Sequence, residues 1–216
     1  YAIFWVEVPF ISNVSDNTIY VYYGNNTVSS ASNITNTFLF GTDFEDGTLN
    51  PFLIDETMVN IEANDTYAFE GSWCAKGWDD DQVAGAINAT FTTQSMLVLE
   101  GAFRIEGDVG RSTVILYGAD WATRFRIQIR DTSGLYYYDG SQWTAVVSSS
   151  SLATWYQYKI IYKNTDVDVY FYADDGTLLG SALGVTGDST GDVNGIQLNV
   201  WYGSVSYTHL RAHETE

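Results

Sequence analysis

The sequence predicts an all-β protein, in which an antiparallel β-sandwich follows a short partial β domain. Aromatic residues make up 16% of the 216 residues, whereas the chain has only 2 prolines. Short runs rich in Thr, Val and Tyr alternate with turns rich in Gly, Asn and Asp, which is the pattern of half-buried strands. No stretch shows a helical period. A folded chain of this length buries roughly 70% of its unfolded surface, so we expect a substantial core.

Residues 1–36 form the first predicted unit. Two strand-like runs are joined by a polar turn, and a linker rich in Ser, Asn and Thr spans residues 27–37. Neither run can bury a face alone. The segments Val6–Pro9 and Ile19–Asn25 resemble the C-terminal part of a small β domain of unknown function that precedes laminin G-like jelly rolls in archaeal and bacterial surface proteins. The resemblance implies that residues 1–36 are the C-terminal fragment of such a domain.

The second predicted unit spans residues 37–205, and its first strand starts near Gly41. The segments Phe44–Phe52 and Ala68–Lys76 each place aromatic residues and a Gly close to an apolar run. They resemble the opening of a concanavalin A-like jelly roll, the fold of laminin G modules and of many carbohydrate-binding modules. The resemblance implies a jelly-roll β-sandwich for this unit.

Strand signals continue through the second unit. Asp-Gly pairs at Asp139-Gly140 and Asp175-Gly176 supply the positive φ angles that tight hairpin turns need. The predicted strands are Leu97–Ile105, Thr113–Tyr117, Arg124–Arg130, Leu135–Tyr138, Tyr156–Lys163, Val167–Tyr172 and Ile196–Tyr202.

Side-chain alternation in these strands predicts a polar sheet face. Phe125, Ile127 and Ile129 point one way, so the arginines and the amide between them point the other way. Guanidinium and amide donors beside aromatic rings can hydrogen-bond sugar hydroxyls and stack on a pyranose. The alternative is a solvated face whose basic residues pair with acids on neighbouring strands. The predicted ligand-binding residues are Arg124, Arg126, Gln128, Lys159, Tyr170, Tyr172, Asn199 and Trp201.

Acidic clusters suggest structural calcium, which prefers hard oxygen ligands. The main candidate combines Asp43, Glu45 and Asp46 beside a glycine. The jelly-roll resemblance implies that a last strand supplies part of the remaining ligands. The alternative is a solvated, metal-free turn. Weaker candidates are the segment Asp79–Asp81 and the loop that contains Asp188, Asp192 and Asn194.

Catalysis, binding to nucleic acid and membrane insertion are not expected. Glycoside hydrolysis needs two carboxylates at a defined separation, and the Glu-x-Asp-x-x-Glu strand of jelly-roll glucanases is absent, although a carboxylate pair elsewhere stays an alternative. His209 and His213 are the two histidines and lie near the C-terminus, so the domain itself offers none for a catalytic triad or a zinc site. The net charge of −18 disfavours nucleic acid, and no apolar run is long enough for membrane insertion.

An extracellular or cell-surface location is expected. The chain begins in strand-like sequence without a signal peptide, so we expect a fragment of a larger multidomain protein. Cys74 stands alone and is predicted to be a small buried residue. Candidate N-glycosylation acceptors in Asn-x-Ser/Thr sequences are Asn13, Asn25, Asn33, Asn64 and Asn88.

Residues 206–216 differ in composition from the rest of the chain and contain both histidines. The segment Ser206–Thr215 resembles the translated adapter sequence that ends many truncated reading frames from environmental DNA. We therefore expect a non-native tail where a jelly roll has its last strand. The alternative is a genuine polar C-terminal segment.

Together these features favour a non-catalytic binding or adhesion module of an exported prokaryotic surface protein. Its expected partner is a glycan or another cell-surface component. Two alternatives stay open: a purely structural spacer in a large surface protein, and an accessory module of a glycosidase whose catalytic domain lies outside this chain.

Overall fold

A computed structural model gives the fold and describes residues 6, 16, 18–20, 34–79, 84–106, 110–201 and 204–213. Within these ranges lie one helical turn and fifteen strands. Their bounds are α1 Ile34–Thr37, β1 Phe40–Thr42, β2 Leu53–Val59, β3 Ile61–Asn64, β4 Cys74–Trp78, β5 Gly85–Gln94, β6 Leu97–Ile105, β7 Arg111–Tyr117, β8 Thr123–Arg130, β9 Gly134–Tyr138, β10 Trp143–Val147, β11 Trp155–Tyr162, β12 Val167–Ala173, β13 Leu178–Val185, β14 Val193–Trp201 and β15 Ser204–His213.

The strands form two sheets packed face to face. Sheet A has the order β13-β12-β11-β6-β15-β4-β3, and β1 also pairs with β15. Sheet B has the order β10-β9-β8-β7-β14-β5-β2. The described strand pairs are antiparallel. The prediction of an all-β antiparallel sandwich is therefore confirmed.

The core lies between the sheets and follows the predicted alternation. Phe125, Ile127 and Ile129 on β8 are each 0% exposed, and the alternate residues of β11 and β14 are buried in the same way. Burying one such large apolar side chain stabilises the fold by about 1.5–3 kcal/mol. Because a strand alternates its side chains, the residues between them project from the outer faces of the two sheets. Cys74 is buried, as predicted.

All seven predicted strands are present, with ends shifted by up to three residues. The hairpin turns are also confirmed, since Gly140 has a φ of 90° and Gly176 a φ of 83°. The sequence missed the strands that have weak alternation or lie at sheet edges: β2, β3, β5, β10 and β13. It also missed α1 at the end of the predicted linker, where Ile34 packs so closely on Gly41 that a Cβ there would lie 2.9 Å from it.

The expectation that no last strand follows residue 205 is wrong for the structure. β15 lies between β6 and β4 and pairs with β1, with Phe40 opposite Ala212. Tyr207 and Leu210 are each 2% exposed. A register shift between Thr208 and Arg211 breaks the period of two, which explains why sequence alternation did not reveal the strand. The adapter origin of residues 206–216 stays a prediction.

The predicted partial β domain falls almost entirely outside the described residues, and so do both of its expected strands. The division of the chain at residues 36 and 205 likewise stays a prediction. Of the glycosylation candidates, Asn13, Asn25 and Asn33 lie outside the described part of the chain. Asn64 and Asn88 are half-buried on β3 and β5.

Candidate functional site

The structure does not gather the three predicted calcium ligands into one site. Asp43 Oδ1 accepts a hydrogen bond from the Glu45 amide at 3.1 Å, and Asp46 Oδ1 accepts one from the Thr48 amide at 2.9 Å. Among the described residues, no three or more His, Cys, Asp or Glu side chains are grouped so that they could hold a metal ion by themselves. Each of the two aspartates instead caps its own turn, as Asp residues do in loops.

Glu45 joins two loops that are distant in sequence. Its Oε1 accepts hydrogen bonds from the backbone amides of Ser72 and Trp73, both at 2.8 Å. The carboxylate thus fastens the loop after β1 to the loop before β4. Sequence reading placed Glu45 with its acidic neighbours because it could not show amide donors 27 and 28 positions away.

The predicted sugar-binding residues are divided between the two sheets. Arg124, Arg126, Gln128, Asn199 and Trp201 lie on strands of sheet B. Three residues lie on sheet A: Lys159, Tyr170 and Tyr172. They therefore cannot form one surface, because the core separates the outer faces of the two sheets. Local alternation predicted which side chains point outward, but it could not assign strands to sheets.

Two sheet B arginines hold the loop before β14. Arg124 is 8% exposed and donates to the Asp192 carbonyl at 3.2 Å and to Ser189 Oγ at 3.0 Å. Arg126 forms a salt bridge with Asp188. This loop contains the weaker calcium candidate. Its Asp188 and Asp192 are therefore held by arginine side chains of sheet B. Gln128 and Asn199 are 6% and 2% exposed, so neither offers much surface to a ligand.

The outer face of sheet B also has an arginine–aromatic layer that the predicted site omitted. The Arg126 guanidinium lies 4.0 Å from the centroid of the Tyr138 ring, and that of Arg130 lies 4.3 Å from the Tyr136 ring. Trp143 lies within reach of both guanidinium groups, at 5.6 and 5.2 Å. The alternating tyrosines of β9 and arginines of β8 were the available signal. Their pairing required the register of the two strands.

Sheet A has a groove of about 730 Å³ on its outer face, over β6, β11 and β12. Its floor contains Glu100, Gln157, Lys159 and Tyr172, which are all half-buried. The loop before β4 and the β12–β13 turn also line the groove. The remaining lining residues are Phe69, Glu70, Gly101, Ala102, Tyr158, Asp174, Asp175, Gly176 and Arg211.

Register explains how the groove floor is assembled. Lys159 on β11 lies opposite Glu100 on β6, and their charged atoms are 2.9 Å apart. Gln157 lies opposite Tyr172, and its amide nitrogen donates to the Ala173 carbonyl at 3.0 Å. These two rows place a charged pair beside an amide and an aromatic ring. Two of the eight predicted residues, Lys159 and Tyr172, therefore line the groove.

Tyr172 is the aromatic side chain of the floor. Its ring stacks on that of Tyr170, with centroids 6.5 Å apart and an interplanar angle of 17°. Partial burial raises the pKa of the Tyr172 hydroxyl, so at neutral pH it is a neutral donor and acceptor. Tyr170 thus supports Tyr172 from the side, although it is not among the residues that line the groove.

Comparisons with known proteins match both parts of the chain. Residues 1–55 match a family described as a domain of unknown function (DUF2341), and this match continues past residue 36 into β2. The comparison with curated protein sequences found no match. In the described part of the chain, no helix is both long and apolar enough to cross a membrane.

Solved structures share the sandwich fold at low sequence identity. One is a sialidase, with a TM-score of 0.64 and 11% identity over 83% of this chain, which spans only 19% of that protein. Another is the CBM2 module of the Lactobacillus casei BL23 phage J-1 evolved Dit, with a TM-score of 0.57 and 12% identity over 81% of this chain and 94% of that one. These likenesses establish a shared fold.

Proposed function

We propose that this chain is a non-catalytic extracellular module that binds a neutral oligosaccharide in the groove of sheet A. The observation that carries the proposal is the groove itself, a concave surface of about 730 Å³ whose floor has polar side chains around the ring of Tyr172. Ligand sites in proteins are typically concave and contain a few well-placed polar groups. Among polar ligands we choose a saccharide, because a sialidase is one of the proteins that share this fold.

The chemistry of the floor suits a sugar ring. The half-buried Tyr172 ring offers an apolar face for a pyranose, and its hydroxyl can exchange hydrogen bonds with sugar hydroxyls. Lys159 and Glu100 supply charged donors and acceptors, which form stronger hydrogen bonds than neutral groups. Because these two groups already neutralise each other, a neutral ligand can bind without leaving either charge unpaired.

The charge of the groove favours neutral over acidic sugars. Its lining includes two basic side chains, Lys159 and Arg211, but four carboxylates. An acidic saccharide in the groove would be repelled by this local excess of carboxylates. The four lining carboxylates are Glu70, Glu100, Asp174 and Asp175.

We place this module in a larger prokaryotic surface protein and assign the sandwich to the concanavalin A-like, laminin G-like jelly rolls. Support comes from the match of residues 1–55 to the domain of unknown function, which agrees with the resemblance of Val6–Pro9 and Ile19–Asn25. An extracellular location, glycosylation and association with further domains belong to the same proposal. The proposal is tested against two alternative functions: a structural spacer and an accessory module of a glycosidase.

A glycan array of neutral and acidic oligosaccharides tests the proposal. The wild-type chain should bind neutral glycans, and Tyr172→Ala should weaken that binding by about tenfold, or about 1.4 kcal/mol, because it removes the stacking surface. Trp121→Ala is the matched control. It removes an aromatic ring that is 71% exposed in the loop between β7 and β8, away from both sheet faces that carry a proposed site, and should leave neutral-glycan binding unchanged.

The outcomes separate the competing functions. A folded chain that binds no glycan indicates the structural spacer. Reducing ends released from a bound oligosaccharide would show catalysis and overturn the non-catalytic assignment. Equal losses in Tyr172→Ala and Trp121→Ala would exclude the groove of sheet A as the binding site.

A further inference from the structure

A row of three side chains crosses the outer face of sheet B at one end. Trp201 on β14 lies opposite Arg111 on β7, which in turn lies opposite Arg130 on β8. All three side chains lie on the outer face of sheet B, because the adjacent residues Val200, Ser112 and Ile129 are buried in the core. Directly opposed residues in antiparallel strands have Cβ atoms about 4.5–5.5 Å apart, so these side chains are immediate neighbours.

The two arginines of this row form no salt bridge with an acidic residue in the described part of the chain. All nine Lys and Arg residues of the sequence are described, and five of them form salt bridges with described acids. Arg111 and Arg130 are not among the five. Like charges directly opposite each other in a sheet destabilise it. A chain with 27 acidic residues thus places two adjacent cations where they repel each other.

Arg130 is held in a fixed orientation. Its guanidinium stacks on the rings of Tyr136 and Trp143, with centroid distances of 4.3 and 5.2 Å. Its Nε donates to Gln128 Oε1 at 2.5 Å. Burial and the nearby charge of Arg111 lower the pKa of Arg130, and this effect exceeds the opposite influence of Tyr136 and Asp131. Stacking uses the faces of the guanidinium, whereas its terminal N–H groups lie in the plane and point away from the rings.

Trp201 adds an apolar surface to the same row. It is 43% exposed, so one part of its indole ring is open to a ligand. A flat indole ring stacks well on the apolar face of a pyranose. The arginine fork matches the planar geometry of a carboxylate, with which it forms bidentate hydrogen bonds. A sugar that carries a carboxylate can therefore stack its ring on Trp201 and bind its carboxylate to the arginines.

We propose that Trp201, Arg111 and Arg130 form a second saccharide site that binds a uronate residue, with its carboxylate between the arginines and its ring on Trp201. This site lies on the opposite face of the sandwich from the sheet A groove and does not depend on the function proposed for that groove. A uronate carries one charge per sugar. Denser polyanions such as nucleic acids are repelled by the strongly acidic remainder of the chain.

Titration calorimetry with tetragalacturonate tests this site. The same tetrasaccharide with all its carboxylates methyl-esterified is the matched probe, since it keeps the sugar rings and removes the charges. The comparison uses the Tyr172→Ala variant, because the ester is a neutral sugar that the sheet A groove is proposed to bind. In that variant we expect the acid to bind at least about tenfold more tightly than the ester, because a lost charge-assisted hydrogen bond costs about a factor of ten or more. Raising NaCl from 50 to 500 mM should weaken acid binding.

Variants locate the binding. Arg111→Ala and Arg130→Ala should each lower affinity for the acid by about tenfold, and Trp201→Ala should lower affinity for both acid and ester. Lys76→Ala is the charge control, because it removes one positive charge from sheet A, on the other side of the sandwich. The Lys76→Ala variant should bind the acid with unchanged affinity. Arg111 is exposed, so its replacement is the decisive variant if Arg130→Ala unfolds the chain.

Three results would overturn the proposal. The first is equal affinity for acid and ester in this comparison. The second is unchanged affinity of a folded Arg111→Ala variant for the acid. The third is a loss of acid affinity in Lys76→Ala as large as that in Arg111→Ala, which would indicate a general charge effect. Absence of acid binding by the folded wild-type chain is equally decisive. Tyr172→Ala should leave acid binding intact, which keeps this result separate from the test of the sheet A groove.

Discussion

At the residue scale, Asp139 shows how one exposed carboxylate fixes a turn. Its Oδ1 accepts hydrogen bonds from the Ser141 hydroxyl at 2.7 Å and from the backbone amides of Ser141 and Gln142 at 2.9 and 2.8 Å. The Ser141 hydroxyl and these amides lower the pKa of Asp139 to about 2. The turn joins β9 to β10 and so sets the pairing of Tyr138 with Trp143.

This turn predicts a pH-dependent contribution of Asp139 to stability. Since its pKa falls from 3.8 in a model peptide to about 2 in the fold, the stabilisation is complete above about pH 4 and is lost as pH falls through about 2. Asp139→Asn keeps an acceptor oxygen but does not titrate. Thermal melts should therefore show Asp139→Asn less stable than wild type at pH 6, with the difference vanishing near pH 2. A constant difference across this range contradicts the prediction.

Residue-scale roles were predicted only where chemistry depends on near neighbours. The Asp-Gly turns follow from local φ requirements, and the sequence identified them correctly. The hydrogen bonds of Glu45 and Arg124 were missed for the opposite reason: their partners lie on loops brought close only by the folded sandwich. A side chain that serves such a distant contact cannot be distinguished in sequence from one that awaits a ligand.

At the element scale, β15 connects parts of sheet A that are otherwise separate. It bonds to β6 on one side and to β4 and β1 on the other. The Tyr207 hydroxyl donates to the Asn199 carbonyl of the facing sheet at 2.8 Å and also contacts Ser112. The strand therefore contributes to both layers of the sandwich.

Replacing Leu210 tests how much the packing of β15 contributes to the stability of the fold. Leu210→Ala should lower the free energy of unfolding by about 2–5 kcal/mol, because the side chain is 2% exposed in the core and its removal leaves a cavity. Leu179→Ala is the matched control. It makes the same change at a position that is 41% exposed, and it should have an effect within about 0.5 kcal/mol of zero. Similar midpoints for the two variants in urea unfolding would falsify the packed position of β15.

Strand existence was easier to predict from sequence than strand placement. Alternation reveals a strand such as β8 because it depends on residues two positions apart. Sheet membership depends on pairings such as β6 with β11, which lie over fifty positions apart. For this reason Lys159 and Arg126 were expected on one face and lie on two. The outward-facing residues were predictable, but their combination into a groove was not.

At the scale of the whole molecule, the excess of negative charge couples stability to ionic conditions. The chain has 27 acidic and 9 basic residues, so its folded state carries considerable self-repulsion. Salt reduces that repulsion because the Debye length falls from about 30 Å at 0.01 M to about 3 Å at 1 M ionic strength. The effect of a specific cation on stability must therefore be compared with that of another salt at equal ionic strength.

Calcium binding near Asp43, Glu45 and Asp46 remains our proposal, and a matched salt series tests it. The carboxylates of Glu45 and Asp46 are exposed and offer hard oxygen ligands, which calcium prefers. Millimolar CaCl2 should raise the melting temperature above the value in NaCl of equal ionic strength, and Asp46→Asn should reduce the difference. Identical melting temperatures in the two salts would exclude a stabilising calcium site.

The pairing of β1 with β15 determines how the sandwich responds to mechanical tension. Phe40 lies opposite Ala212 and Thr42 opposite Leu210, so the start of β1 and the end of β15 are at the same edge. A force pulling these two ends apart acts across the pair and loads its hydrogen bonds one after another. The two strands of this pair therefore unzip instead of shearing together. Tension applied at these two ends reaches this pair before it reaches strands that lie farther along the chain.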